Sequence, residues 1–334
     1  MNVGGVRVAI TGGAGFLGGL LARRLLDTTA ISVGGAEPRP ISAIQLLDLV
    51  EPPHDLSAEA RIGALTGPLE QTIPQLGDVD LLCHLAGVVS GAAERDFDLG
   101  MRTNLDALRQ LLDHARSFAA PPVVVFTSSL AVFGSDPAIG PVGHVDDDTL
   151  PRPQSSYGIQ KFIGEQLLAD YTRRGLIRGR SLRLMTVAVR PGKPNAAASS
   201  FISGIIREPL AGQRATCPVP ASTPIALSSP ARTINGIVKA ITTDDRTWGS
   251  RTALNLPALS TTPSDMLKAL DRATKTNPSS LVDWVQDDAI LAIVGSWPAK
   301  FSTPRANELG LAAPTSFDDV IREYLTSPFH EGGV

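Results

Sequence analysis

Tyr157 and Lys161 stand four residues apart in "SSYGIQKFIGEQLLADYTRR", a spacing that puts both side chains on one face of a helix. A phenol with an unperturbed pKa of about 10 is a poor base at neutral pH, but a neighbouring ammonium favours the phenolate and lowers that value. Tyr157 is therefore a candidate to take a hydroxyl proton as hydride leaves the same carbon. Upstream, "VVVFTSSLAVFG" sets Ser128 and Ser129 at the carboxyl end of an apolar strand, the edge of a parallel sheet where ligands bind. A serine there can hydrogen-bond the reacting oxygen. A Y-x-x-x-K pair arises by chance on amphipathic helices; its meaning comes from the N-terminal residues.

These include "AITGGAGFLGGLLARRLL", an apolar strand, a burst of glycine and a helical repeat. Gly13, Gly15 and Gly18 fit G-x-G-x-x-G, and Gly12, Gly15 and Gly18 fit the overlapping T-G-x-x-G-x-x-G with Thr11 ending the strand. In either register the missing side chains let a pyrophosphate reach backbone N–H groups at Phe16, Leu17 and Gly18, the positive end of the helix. Asp48 closes the next strand in "AIQLLDL", where a carboxylate accepts both adenosine ribose hydroxyls and repels a 2′-phosphate. The expected cofactor is NAD. Asp48 follows Gly18 by 30 residues, a long interval that the loop-like stretch "TTAISVGGAEPRP" accounts for.

The elements that must position these groups alternate. "VRVAIT", "AIQLLDL", "VDLLCHLAG", "PVVVFTS" and "SLRLMTVAVR" read as buried strands, and Phe16 to Leu26, Phe97 to Phe118 and Ser155 to Arg173 as crossover helices. This pattern predicts an α/β fold, a Rossmann-like doubly wound parallel sheet with a smaller C-terminal substrate-binding domain. The expected division is 1–190 with a returning segment near 220–257 for NAD, and 191–219 with 258–334 for substrate. Beyond Arg190 the chain turns rich in Pro, Ala and Ser, as a loop-rich cover over the carboxyl end of the sheet would.

Composition removes other function classes. With 334 residues, 43% hydrophobic, 19% charged and a formal charge of −3, there is no bulk positive field for nucleic acid or an anionic membrane. No leader or membrane-length apolar run appears, so a cytoplasmic protein is expected. Cys83 and Cys217 read as isolated buried thiols. His54, His84, His114, His144 and His330 never reach metal-ligand spacing, and no metal is expected.

"TGGAGFLG", "HLAG", "TSSLAVFG" and "YGIQK" together resemble the extended short-chain dehydrogenase/reductase family across most of the chain. The resemblance implies that Ser129, five residues before Gly134, holds the reacting oxygen, that Tyr157 is the acid/base, and that Lys161 binds ribose and tunes the tyrosine. It also implies that Leu85, Ala86 and Gly87 wall the adenine ribose, that Asn104 is the central-helix asparagine, and that Ser90 and Pro191 lie beside the cofactor. This sequence departs from the family pattern at Phe133, where a tyrosine is usual, and at Pro68, where an aspartate would contact adenine; backbone contact at Leu69 remains. The helices around Leu99 to Phe118 and Ser155 to Arg173 match those that form a dimer bundle in this family, which implies a homodimer.

Within the family, "HLAGVVSGAAERDFDLG", "PQSSYGIQK" and "VRPGKPNAAASSFISGIIREPLAG" are similar to members that use NAD to oxidise the C2 hydroxyl of a four-carbon sugar acid, D-erythronate, to 2-dehydro-D-erythronate. Such a substrate carries its carboxylate beside the reacting carbon and needs a fixed cation or a ring of neutral donors. Arg190 and Arg232 are the candidate cations, with Ser90, Asn195, Ser199 and Ser200 for the remaining hydroxyls. The alternatives are a nucleoside-diphosphate-sugar epimerase or dehydratase, a dehydrogenase for another small hydroxy acid or L-threonine, and an NAD-binding regulator without turnover. The last would be expected to lack Ser129, Tyr157 and Lys161.

Overall fold

Apolar runs without a polar face can only be buried on both sides, and here they form one parallel sheet. A computed structural model describes residues 4–192 and 194–327; His330 lies outside the described residues. The strands of its two larger sheets are β1 (Val6–Thr11), β2 (Ile41–Asp48), β3 (Ile62–Thr66), β4 (Leu81–His84), β5 (Val123–Ser129), β6 (Arg178–Leu184), β7 (Thr186–Val187), β8 (Ile225–Ser228), β9 (Leu254–Asn255) and β10 (Leu259–Thr261). Seven of them make the main sheet in the order β9-β6-β5-β4-β1-β2-β3, with every pairing parallel. The order of the chain reverses between β1 and β4, so their carboxyl ends diverge and open a crevice.

Helices cover both faces. On one, α1 (Phe16–Leu26) and the helix Pro230–Thr242 pack against Val8, Ile10, Cys83 and Val125. On the other, α2 (Ala107–Ala115) and α3 (Ser156–Arg173) pack against Ala9, Leu82, Val124 and Phe126. A separate apolar core joins Ala188, Ile202, Ile205, Leu227, Met266, Leu270 and Ile321. There β7, β8 and β10 form a second, three-stranded sheet. The segment 220–257 divides between the two cores: β8 packs in the second, while Ile234, Ile237, Ile241 and Leu254 pack in the first, joined there by Ala306 and Leu309.

Three elements differ from the sequence reading. "IGALT" (Ile62–Thr66) pairs with β2 as an edge strand too short and mixed to show a period. The run expected to be one strand from Ser181 to Arg190 starts earlier and breaks at Met185, passing from the main sheet to the second. The helix expected over Phe97 to Phe118 is an α-turn, a π-helical stretch at Met101–Asp106, and α2 ending at Ala115. Such π-turns concentrate at functional sites, and this one carries Asn104.

Among the described residues, no helix is long and apolar enough to cross a membrane, and no group of three or more His, Cys, Asp or Glu side chains is gathered to hold a metal. Cys83 and Cys217 are buried free thiols.

Candidate active site

The crevice is a cavity of about 800 Å³. It runs from the glycine turn past Asp48, Leu69 and Leu85–Gly87 to Ser129, Tyr157, Lys161, Arg190 and Trp297.

Its floor is backbone. Gly12 takes φ +71°, and a Cβ there would fall 2.8 Å from the Ala86 nitrogen across the crevice. At Gly18 a Cβ would lie 2.0 Å from the Gly12 carbonyl oxygen, and at Gly15 3.1 Å from the same atom. The turn is thus packed as tightly as backbone permits. Gly15 caps α1 with no side-chain hydrogen bond, and the first turn carries no acidic residue. The N–H groups of Phe16, Leu17 and Gly18 therefore lack an intrahelical acceptor and point a partial positive charge at the crevice. A dinucleotide pyrophosphate fits such a cradle. Asp48 lines it too, and its two oxygens accept from Ala14 N–H at 3.0 Å and Leu49 N–H at 2.7 Å. This carboxylate holds the glycine turn as well as facing the ribose position. Pro68 and Leu69 line the adenosine end, where Pro68 offers no side-chain acceptor.

The chemical end depends on how α3 meets the end of β5. Ser155 caps α3, accepting from Gly158 N–H at 3.2 Å, and a Cβ on Gly158 would come within 2.1 Å of the Ala131 carbonyl oxygen. Glycine at that contact lets the helix lie directly on the turn after Ser129, which brings the Tyr157 hydroxyl to the Ser129 side chain. Successive strand residues face opposite sides, which separates the two serines. The Ser128 hydroxyl turns under the sheet edge and donates to Glu165 at 2.5 Å. Glu165 also pairs with Arg183 through two hydrogen bonds, at 2.9 and 2.7 Å, and both charged groups are buried.

Lys161 is 3% exposed and donates to the Thr127 carbonyl at 2.9 Å. Burial pushes its ammonium down to about 8, against the opposing pull of Glu165 one helical turn along. Its Nζ lies 5.7 Å from the centre of the Tyr157 ring. The Tyr157 phenol is nevertheless held above its ordinary value: burial dominates, and the opposing influences are the Ser129 hydrogen bond and the positive charge of Arg190. The expected lowering of this phenol is corrected, since burial makes the net direction upward and the positive charge of Arg190 opposes it only in part. Beneath them the His84 ring is stacked on Phe126 and its Nδ1 lies 2.7 Å from Thr11 Oγ1; burial and the Lys161 charge push it down to about 3, so it is neutral.

Arg190 enters the cavity from the stretch after β7. Its guanidinium donates to Asn195 Oδ1 at 3.2 Å and has no ion-pair partner among the described residues. The Arg190 carbonyl accepts from Arg207, and the Arg190 N–H donates to Ser203 Oγ. Asn195 and Ser199 line the cavity, as does Ser90, whose hydroxyl accepts from Ala198 N–H at 3.2 Å and so ties down the same loop.

Four residues expected at the site stand outside its lining. Arg232 is exposed on the helix Pro230–Thr242, whose buried stripe of Thr233, Ile234, Ile237 and Ile241 turns it away from the crevice; it is removed as a candidate for the carboxylate. Ser200 accepts from the Asn195 N–H and supports the loop from behind. Pro191 falls just beyond the wall. Asn104 is buried and holds Val88 by both its N–H, at 2.8 Å, and its carbonyl, at 3.0 Å, while donating to Gln160 at 2.7 Å. It fixes the crevice wall to α3 without lining it. Sequence reasoning missed Arg102, Thr103, Leu130, Thr186 and Trp297 in the lining. Glu165 it also missed, although its place four residues after Lys161 was a readable signal.

The profile of the NAD dependent epimerase/dehydratase family matches residues 8–224. A D-erythronate dehydrogenase from Cupriavidus necator is 49% identical over 324 residues, covering 96% of this chain and 98% of that one. A D-erythronate dehydrogenase from Haemophilus influenzae is 36% identical, covering 96% and 99%. Among solved structures, a nucleoside-diphosphate-sugar epimerase from Agrobacterium tumefaciens superposes with a TM-score of 0.83 at 36% identity, covering 97% of this chain and 94% of that one. With the glycine cradle, Asp48 and the Ser129–Tyr157–Lys161 group in one crevice, the chain belongs to the NAD dependent epimerase/dehydratase family.

Proposed function

We propose that this chain is a dehydrogenase that oxidises the C2 hydroxyl of D-erythronate to 2-dehydro-D-erythronate. The observation that carries the reading is Arg190, a cation without an ion-pair partner among the described residues, close enough to Tyr157 for its charge to act on the phenol. A carboxylate held by Arg190 through charge-assisted hydrogen bonds sets the neighbouring carbon, C2, beside Tyr157 and Ser129. The names of the two relatives support the same substrate.

The glycine turn and the first turn of α1 would hold the NAD pyrophosphate, Asp48 the adenosine ribose, and Lys161 the nicotinamide ribose. NAD, when bound, supplies the acceptor for the hydride. Ser129 hydrogen-bonds the C2 oxygen, and Tyr157 as phenolate takes its proton, so that a carbonyl forms as the C–H electron pair departs.

The test is NADH formation by purified protein with D-erythronate, L-threonate and L-threonine, beside an epimerase assay on a nucleoside-diphosphate sugar. Turnover of D-erythronate with little of L-threonate is expected. Epimerisation with silence toward the acids would overturn the substrate. We further propose a cytoplasmic homodimer. Phe97, Ile159 and Ile163, at 60%, 46% and 36% exposure, leave apolar surface on the Phe97–Gly100 helix and α3. Light scattering should return twice the chain mass, and a monomer at micromolar concentration would refute the dimer.

A further inference from the structure

The cavity ends at an indole. Trp297 lies beyond the helix Asp288–Val294 and packs against Leu130, Met185 and Ala226. Its segment is pinned on both sides: Ser135 donates to the Ser296 carbonyl at 2.8 Å through its N–H, and Lys300–Phe301 pairs with His144–Val145 as a short parallel ladder. The ring is therefore a fixed wall rather than a swinging lid. On one side lies the chemical end of the cavity, with Ser129 one residue from Leu130. On the other lies a small void bounded by Ile225, Ala226 and Pro298. Leu130, Thr186 and Trp297 line both spaces.

We propose that the Trp297 indole sets the chain length of the substrate, closing the site just past the fourth carbon of an acid anchored at Arg190 and reacting at Tyr157. This rests on the sugar-acid reading and adds the residue that bounds it. With the carboxylate at Arg190 and C2 at Tyr157, the remaining carbons run along the cavity wall that Leu130, Thr186 and Trp297 form. The void behind the ring is lined mainly by apolar side chains, so space gained by removing the indole favours an added methyl over an added hydroxymethyl.

The experiment compares kcat/KM for D-erythronate, for 5-deoxy-D-ribonate, which keeps the C2 and C3 configuration and adds a methyl at C4, and for D-ribonate. Trp297→Ala should raise the ratio of 5-deoxy-D-ribonate to D-erythronate by about 10-fold or more, the scale on which a pocket senses one methylene. D-Ribonate should gain less, and Trp297→Phe should shift the ratio in the same direction by a smaller factor. The dissociation constant of NAD, read by fluorescence, should stay at the wild-type value. Should Trp297→Ala fail to fold in a thermal melt, Trp297→Leu and Trp297→Phe carry the same comparison. A ratio within about twofold of wild type in a folded, NAD-binding variant overturns the proposal. Wild-type silence toward D-erythronate overturns the sugar-acid reading itself, and the boundary with it.

Discussion

Tyr157→Phe should lower kcat by about 10²- to 10⁴-fold, the usual worth of a positioned acid/base, while leaving the dissociation constant of NAD close to wild type. The phenylalanine ring preserves the packing of α3 on the turn after Ser129 and removes only the oxygen that exchanges the proton. Isothermal titration with NAD beside steady-state turnover separates the two effects, and a variant with wild-type kcat would exclude Tyr157 as the proton acceptor. The pH profile gives a second reading of the same group. Oxidation requires the phenolate, so kcat falls as pH drops through the tyrosine pKa. Arg190 acts to lower that pKa, and Arg190→Met should therefore shift the limb of kcat at saturating substrate toward higher pH. A shift toward lower pH would contradict the electrostatic role assigned to Arg190.

Gly18→Ala should be the most damaging single methyl in the cofactor cradle. The new Cβ would sit 2.0 Å from the Gly12 carbonyl oxygen, a backbone atom with nowhere to go because Gly12 N–H is already bonded to the Leu47 carbonyl at 2.8 Å. Overpacking of this kind costs about 1–3 kcal/mol, which on a turn that must present its N–H groups to a pyrophosphate converts to roughly 10- to 100-fold in NAD affinity. Gly19→Ala is the control one residue on. Its Cβ would meet the end of the Arg23 side chain at 2.9 Å, a flexible neighbour that can move. Titration of NAD into both variants should show a large loss for the first and a small one for the second; equal affinities would mean that the turn relaxes around position 18.

The cofactor half of the site is legible in the sequence because its chemistry is local. Gly12, Gly15 and Gly18 crowd one carbonyl over seven residues, and Tyr157 and Lys161 share a helix face, so spacing alone carries the geometry. The substrate half is not. Trp297 reaches the cavity through tertiary packing on Leu130, some 167 residues away in sequence, and no local period marks it. The two arginine candidates looked alike in one dimension. One step of helix register turns Arg232 to solvent, while the loop tied by Ser90, Asn195 and Ser203 turns Arg190 inward. The direction of the Tyr157 shift was also out of reach, because burial, its largest cause, is a property of the folded surroundings.

The π-helical stretch at Met101–Asp106 bears on how this gene can change. A π-turn holds one residue more than an α-turn of the same span, so losing a single codon there would let the stretch close into regular α form with α2 kept nearly in phase, and the residues inside the turn would be the ones to shift. Asn104 would swing off Val88, and the crevice wall would lose its tie to Gln160 and α3. Deletions that a surface loop absorbs unnoticed would here move the wall of the cofactor site, making this short segment a place where reading-frame-preserving indels are filtered by catalysis rather than by folding.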